Sequence, residues 1–219
     1  MIATKSDALA RGTGHADEPD REGRDKQPGQ TGAPAPVRGA DPTQAGRRPL
    51  PPGSKAAELG CGPGYGTKLI LGRFRAAHVD AVDLDPYMIT RARRRLASQR
   101  HRVRFAVRDA TDLRTAFDAG DGAYDAVFDF AIIHHIPDWR SALAETARVL
   151  KPGGVFVFEE VTAHALARPS YRLLFDHPTE DRFTAEQFLT ELPRHGFTVH
   201  SSLTRIQGDY VFGAAVRPT

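Results

Sequence analysis

The chain has 219 residues, 40% of them hydrophobic and 26% charged, with one cysteine and a formal net charge of +3. This suffices for one core of ordinary size, with roughly 165 residues inside the domain that holds it, and a lone cysteine excludes an internal disulfide. No apolar run approaches the roughly 18 to 20 residues of a membrane span, and Met1 to Arg11 lacks the apolar segment of a signal peptide, so the expectation is a soluble cytoplasmic protein with no membrane span.

Residues 1 to 50 are rich in Gly, Pro, Asp, Arg and Gln, with scarcely a bulky apolar residue between Leu9 and Leu50. Such a segment cannot offset its ordering entropy by burial, so a disordered tail is expected there, with Pro49, Pro51, Pro52 and Gly53 leading into a domain over residues 51–219. From that point β-like apolar runs alternate with helical patterns. Lys55 to Leu59 reads as a strand, Gly64 to Arg73 as a helix, Val79 to Asp83 as a strand, and Pro86 to about Ser98 as a helix with proline in its first turn. Val103 to Val107 and Tyr124 to Phe130 are strand-like. Asp138 reads as the N-cap of a helix running to Leu150, stopped by Lys151-Pro152-Gly153-Gly154. Val155 to Glu159 is a strand, Thr162 to Arg182 a long loop, and Thr184 to about His195 a helix. Phe197 to Leu203 and Tyr210 to Val216, joined through Gln207-Gly208-Asp209, read as an antiparallel pair. The fold class is therefore α/β: a doubly wound, mostly parallel sheet of seven strands finished by a C-terminal antiparallel hairpin.

The most informative stretch is Glu58-Leu59-Gly60-Cys61-Gly62-Pro63-Gly64-Tyr65-Gly66, with Asp83 ending the next strand. Alternate glycines let the backbone turn sharply out of a strand and approach a ligand closely, and an acid about twenty residues on can accept both hydroxyls of a ribose. A dinucleotide would fit this spacing, but Glu58 would repel a pyrophosphate and Tyr65 stands where the dinucleotide fingerprint needs glycine. A cationic nucleoside suits the carboxylate. Cys61, inside the loop, reads by itself as a small buried strand-end residue.

These residues resemble the class I S-adenosylmethionine-dependent methyltransferases, in particular the small-molecule branch with an ELGCGxG loop. The resemblance runs in order through Ala57 to Gly66, Val82-Asp83-Leu84-Asp85-Pro86, Arg108-Asp109-Ala110-Thr111-Asp112-Leu113, Tyr124 to Ile136, and Arg148 to Gly154. It implies a three-layer Rossmann-like fold and S-adenosylmethionine as cofactor. Gly60, Cys61 and Gly62 would pass close to the methionyl and ribose parts. Glu58 would stabilise the methionyl ammonium and its loop, directly or through water. Asp83 would take the ribose hydroxyls, Leu84 would pack on the adenine, and Asp109 with the Ala110 amide would read the adenine edge. Asp129 and Phe130 would meet the methionyl amine and the methyl group. Asp109 can also be read as a turn or N-cap acid, and Asp129 as structural.

The expected activity is transfer of a methyl group to an O, N or C nucleophile of a small-molecule acceptor by in-line displacement. Alignment supplies most of such a reaction, and a base is needed only when the acceptor arrives protonated. His134 and His135 are the candidates for that base, although adjacent histidines at a strand end also serve to bond the scaffold. Neighbouring histidines rarely chelate one ion, so no metal is expected. Glu159 and Glu160, at the end of the fifth strand, would face the substrate side, to bind a cationic acceptor or to be solvated. In the long loop, Tyr171, Phe175, Asp176 and His177 are substrate-facing candidates. Relatives commonly place helices before the first strand, where this chain has its Gly/Pro/Arg-rich tail. Arg91, Arg93, Arg94, Arg95, Arg100, Arg102, Arg104 and Arg108 would make either a solvated face or a basic patch. A nucleic-acid substrate is disfavoured, because Asp129-Phe130-Ala131-Ile132 lacks the Asp/Asn-Pro-Pro-aromatic motif of base methylation. The alternatives are a non-catalytic S-adenosylmethionine-binding module and an NAD-dependent oxidoreductase.

Overall fold

Short apolar runs that must be buried on both faces become the central strands. In β1 (Lys55–Leu59), Ala57 and Leu59 point into one apolar layer while Ala56 points into the other. The computed structural model describes residues 49–168 and 181–219. Most of the expected tail, together with Tyr171, Phe175, Asp176 and His177, lies outside the described residues.

After β1 come α1 (Tyr65–Gly72), β2 (His78–Asp83), α2 (Pro86–Arg95), β3 (Val103–Val107), α3 (Leu113–Phe117) and β4 (Tyr124–Phe130). Then follow α4 (Trp139–Val149), β5 (Leu150–Val161), α5 (Ala163–Leu166), α6 (Ala185–Arg194), β6 (Thr198–Arg205) and β7 (Tyr210–Val216). The sheet runs β3-β2-β1-β4-β5-β7-β6, parallel except that β7 is antiparallel to both of its neighbours. The chain order reverses between β1 and β4, and that switch point opens a crevice at the carboxyl ends of the strands.

Helices cover both faces, as the sequence leads one to expect. Ile70 and Leu71 of α1 and Ile89 and Ala92 of α2 pack with Ala56, Val79 and Phe128. On the other face, α3 contributes Leu113 and Phe117, α4 Trp139 and Leu143, and α6 Phe188 and Leu192, against Leu59, Phe156 and Phe158. Caps fix the helix starts: Asp85 accepts from the Tyr87 amide ahead of Pro86, and Asp138 accepts from Ser141. Thr184 and Gln187 close a reciprocal capping box.

The arginines after Asp83 are largely engaged with the scaffold. Arg93 donates to the Phe105 carbonyl, Arg95 to that of Pro63, and Arg102 to those of Ala76 and Ala77. Arg104 makes a two-pronged bond to Asp80 at 2.7 and 2.6 Å.

Candidate active site

The loop after β1 turns on three glycines of positive φ: Gly60 (58°), Gly62 (50°) and Gly64 (85°). The Cys61 amide donates to the Val82 carbonyl at 2.8 Å, which ties the loop to the end of β2. There Asp83 is held from both sides. Its Oδ2 accepts from the Gly62 amide at 2.7 Å and its Oδ1 from the Asp85 amide at 2.9 Å. Burial raises the Asp83 pKa, against the lowering effect of those two amides. Each oxygen keeps a second acceptor direction, so a pair of hydroxyls could be bound without rearrangement. Two further features leave room for a ligand. Nothing lies within 4 Å of where a Cβ on Gly62 would sit, and Leu84, next to Asp83, is 67% exposed.

Beneath this loop Glu58 is buried and accepts a hydrogen bond from the Thr67 hydroxyl. Burial pushes its pKa up to about 8, with the Asp83 charge adding to the rise and Thr67 opposing it. A Cβ on Gly66 would overlap both Glu58 Oε1 and the Phe130 ring, and one on Gly60 would overlap Ile132. The glycines thus let the β1 loop, α1 and the end of β4 meet.

Past β4 the backbone turns at Ala131, whose φ of 59° is unusual for a residue with a Cβ. Its amide donates to the Glu159 carbonyl at 2.6 Å. The turn that follows is organised by one buried acid. Glu160 accepts from the Ile133 amide at 2.6 Å, the His134 amide at 3.3 Å and His134 Nδ1 at 2.6 Å. Asp129 Oδ1 accepts from the Ile132 amide at 3.2 Å, while its buried Oδ2 has no ordinary donor. Burial, then the neighbouring Glu160, raises Asp129 well above the usual carboxylate range, and burial likewise raises Glu160. A proton on Asp129 donated to Glu160 would satisfy the orphaned oxygen. Burial, reinforced by the Arg182 charge, lowers His134 to about 3, leaving a neutral imidazole that donates through Nδ1. His135 is exposed, with its ring centroid 4.2 Å from that of His134.

The family described as a methyltransferase domain matches residues 56–154. Over those residues the chain is similar to a methyltransferase domain. Among similar proteins, the trans-aconitate 2-methyltransferase of Methylobacterium radiotolerans is 36% identical over 128 residues, which are 58% of this chain and 45% of that protein. The malonyl-[acyl-carrier protein] O-methyltransferase of Serratia marcescens is 33% identical over 115 residues, 52% of this chain and 41% of that one. The chain thus spans about half the length, or less, of the curated relatives it matches. Among solved structures, an S-adenosylmethionine-dependent methyltransferase from Mesorhizobium loti superimposes with a TM-score of 0.60 at 18% identity, covering 75% of this chain and 91% of that one. The CurJ carbon methyltransferase gives 0.64 at 20%, covering 78% and 50%. These likenesses show the fold.

Within the matched residues, the glycine loop, Cys61, Asp83 and Leu84 converge at the carboxyl ends of the strands. Open space at Gly62, the fixed Asp83 carboxylate and the bare Leu84 side chain fit a nucleoside. Asp109 lies at the end of β3, where its Oδ1 accepts from both the amide and the hydroxyl of Thr111 at 2.8 Å, so the turn reading of this acid is realised. Ala110 is buried beside it.

Two expectations change. Glu58 is not one of them: it sits under the loop, 1% exposed, where it holds the first turn of α1 through Thr67, the loop-supporting part of what was expected of it. His134 is a scaffold residue, because its buried ring is committed to Glu160, which leaves His135 as the candidate base. Glu160 is neither solvated nor substrate-facing, being wholly buried. A carboxylate embedded in Val155-Phe156-Val157-Phe158-Glu159-Glu160-Val161 was the available signal, since an acid in a run buried on both faces needs a partner. Thr67 and Ile132 were also missed, because their roles depend on which strand ends meet.

Proposed function

We propose that residues 51–219 form a catalytic domain that transfers a methyl group from S-adenosylmethionine to an O, N or C nucleophile of a small-molecule acceptor. The observation that carries this reading is the Asp83 carboxylate, fixed by the Gly62 and Asp85 amides beside the glycine loop at the switch point. When bound, the cofactor supplies a methyl carbon on a positively charged sulfur, from which an acceptor lone pair displaces it in line.

The chain's own residues do the rest. Asp83 accepts from the ribose hydroxyls, Leu84 covers one adenine face, and the backbone at Asp109 and Ala110 borders the adenine edge. Gly60, Cys61 and Gly62 bring main chain against the methionyl part. Asp129 acts through Ile132, and Phe130 forms the wall next to the methyl group. His135 takes the acceptor's proton where the acceptor arrives protonated. The relatives named for trans-aconitate and for malonyl-[acyl-carrier protein] make carboxylic acids one arm of an acceptor panel and amines another.

Calorimetry with S-adenosylhomocysteine tests the cofactor site. Asp83→Ala should weaken binding by roughly 1.5 to 3 kcal/mol, the loss expected for a charged acceptor. Unchanged affinity in a folded variant removes Asp83 from the site, and no binding to the native protein removes the function. Transfer of a radiolabelled methyl group to the panel then identifies the acceptor.

A further inference from the structure

Glu159 is the acid at the end of β5 that the methyl-transfer scaffold leaves unused. It pairs with Phe130 of β4 on one side and with Phe212 of β7 on the other. Directly paired residues project from the same sheet face, about 4.5 to 5.5 Å apart at Cβ. The row therefore reads Phe130, Glu159, Phe212, and Tyr210 stacks on Phe212 with ring centroids 6.2 Å apart and planes at 25°. Phe130 borders the cofactor loop, since a Cβ on Gly66 would overlap its ring. Glu159 thus lies one strand beyond the wall of the cofactor site.

Among the described residues, no hydrogen bond or ion pair joins the Glu159 carboxylate. The contrast with Glu160 is sharp: that acid is fully buried and bonded to Ile133 and His134. Glu159 is half-buried, and burial alone raises its pKa to about 6. A partly desolvated carboxylate between aromatic rings, with its oxygens still reachable, has the composition that selects an organic cation. A carboxylate on the acceptor would meet it with like charge.

We propose that Glu159, flanked by Phe130 and Phe212, binds an ammonium group carried by the methyl acceptor. This rests on the methyltransferase reading above and names the chemical class that the acceptor side takes. Neither the attacking atom nor the transfer step is altered by it.

The test uses the full chain saturated with S-adenosylhomocysteine and two probes of equal shape, choline and its uncharged isostere 3,3-dimethylbutan-1-ol. Choline should bind at least about tenfold more tightly than the isostere. Glu159→Gln should abolish that preference while leaving S-adenosylhomocysteine affinity unchanged. Equal binding of the two probes to the native complex, or binding of neither, overturns the ammonium site and leaves the cofactor reading standing. Retention of the preference in Glu159→Gln overturns the role of Glu159. Should the variant lose S-adenosylhomocysteine binding through misfolding, the comparison of probes on the native protein still decides. Failure of the native protein to bind S-adenosylhomocysteine brings down both readings.

Discussion

Glu58 is an acid held where water does not reach it, and its pH behaviour follows from that. Its pKa rises from 4.5 in the open chain to about 8 in the fold. Folding therefore takes up a proton between those values, so stability is full below the lower one and declines as pH rises toward the upper. The expected loss in the native protein is a few kcal/mol, since each tenfold change in proton affinity is worth about 1.4 kcal/mol. Urea unfolding at pH 5 and at pH 8.5 should show a gap that Glu58→Gln narrows, because glutamine can still accept from Thr67 without ionising. Parallel curves for the two proteins would contradict the burial argument. The adjacent histidines separate by a different pair of readouts. His134→Ala leaves buried Glu160 short of a donor and should cost about 1 to 3 kcal/mol of stability. His135→Ala should leave stability within about 0.5 kcal/mol and S-adenosylhomocysteine affinity unchanged while lowering turnover, by about a hundredfold if it is the base. If turnover is kept across pH, His135 is not the base.

Elements were legible where a local rule decides them. β1, β3, β4 and β7 have the boundaries that their apolar runs mark, and the Asp138 cap and the turn into β7 lie where expected. Among the described residues, two short α-helices were missed. α3, capped by Asp112, and α5, capped by Thr162, are too brief for a 3.6-residue period to register. β5 also begins earlier than its apolar run. Lys151-Pro152-Gly153-Gly154 does stop α4, but Tyr124 pairs with Leu150, and Gly153 and Gly154 exchange backbone bonds with Arg217. Pairing with a distant strand drew the stop residues into the sheet. Close approach of elements yields its own prediction. Gly66→Ala would drive a methyl group into Glu58 and Phe130, one from β1 and the other from β4. Overpacking of this kind costs typically about 1 to 3 kcal/mol. Thermal unfolding should register it, and S-adenosylhomocysteine affinity should fall with it, because the loop cannot keep its seat. A variant of native stability and affinity would show that the junction yields freely.

Across the whole molecule, the two ends of the sheet have different tasks. At the amino ends, Lys55 of β1, Arg104 of β3 and Tyr124 of β4 converge on buried Asp80 of β2, with contacts of 3.0, 2.6 and 2.8 Å. Burial alone would raise the Asp80 pKa, but bonds from Arg104, Lys55 and Tyr124 outweigh it and hold the pKa below 3.8. That stabilisation is present above the unfolded-state value and is lost as pH falls through the lower folded one. Asp80→Asn should cost about 2 to 3 kcal/mol, less than a fully buried pair because Arg104 and Lys55 are partly in water. It should also flatten the acid limb of stability and leave S-adenosylhomocysteine affinity unchanged. A neutral effect on urea unfolding would mean that the cluster stabilises nothing. At the carboxyl ends the same strands present the site. By itself the sequence determined the order of the strands and the longer helices, the glycine loop and the position of Asp83, because period, turn chemistry and short spacing are local properties of a chain. It did not separate His134 from His135 or Glu159 from Glu160, since alternation tells which side chains share a face but not what covers that face. The tertiary structure decided those by setting β4 beside β5. That register turns Asp129 and Glu160 inward, and with β7 on the other side it leaves Glu159 between Phe130 and Phe212.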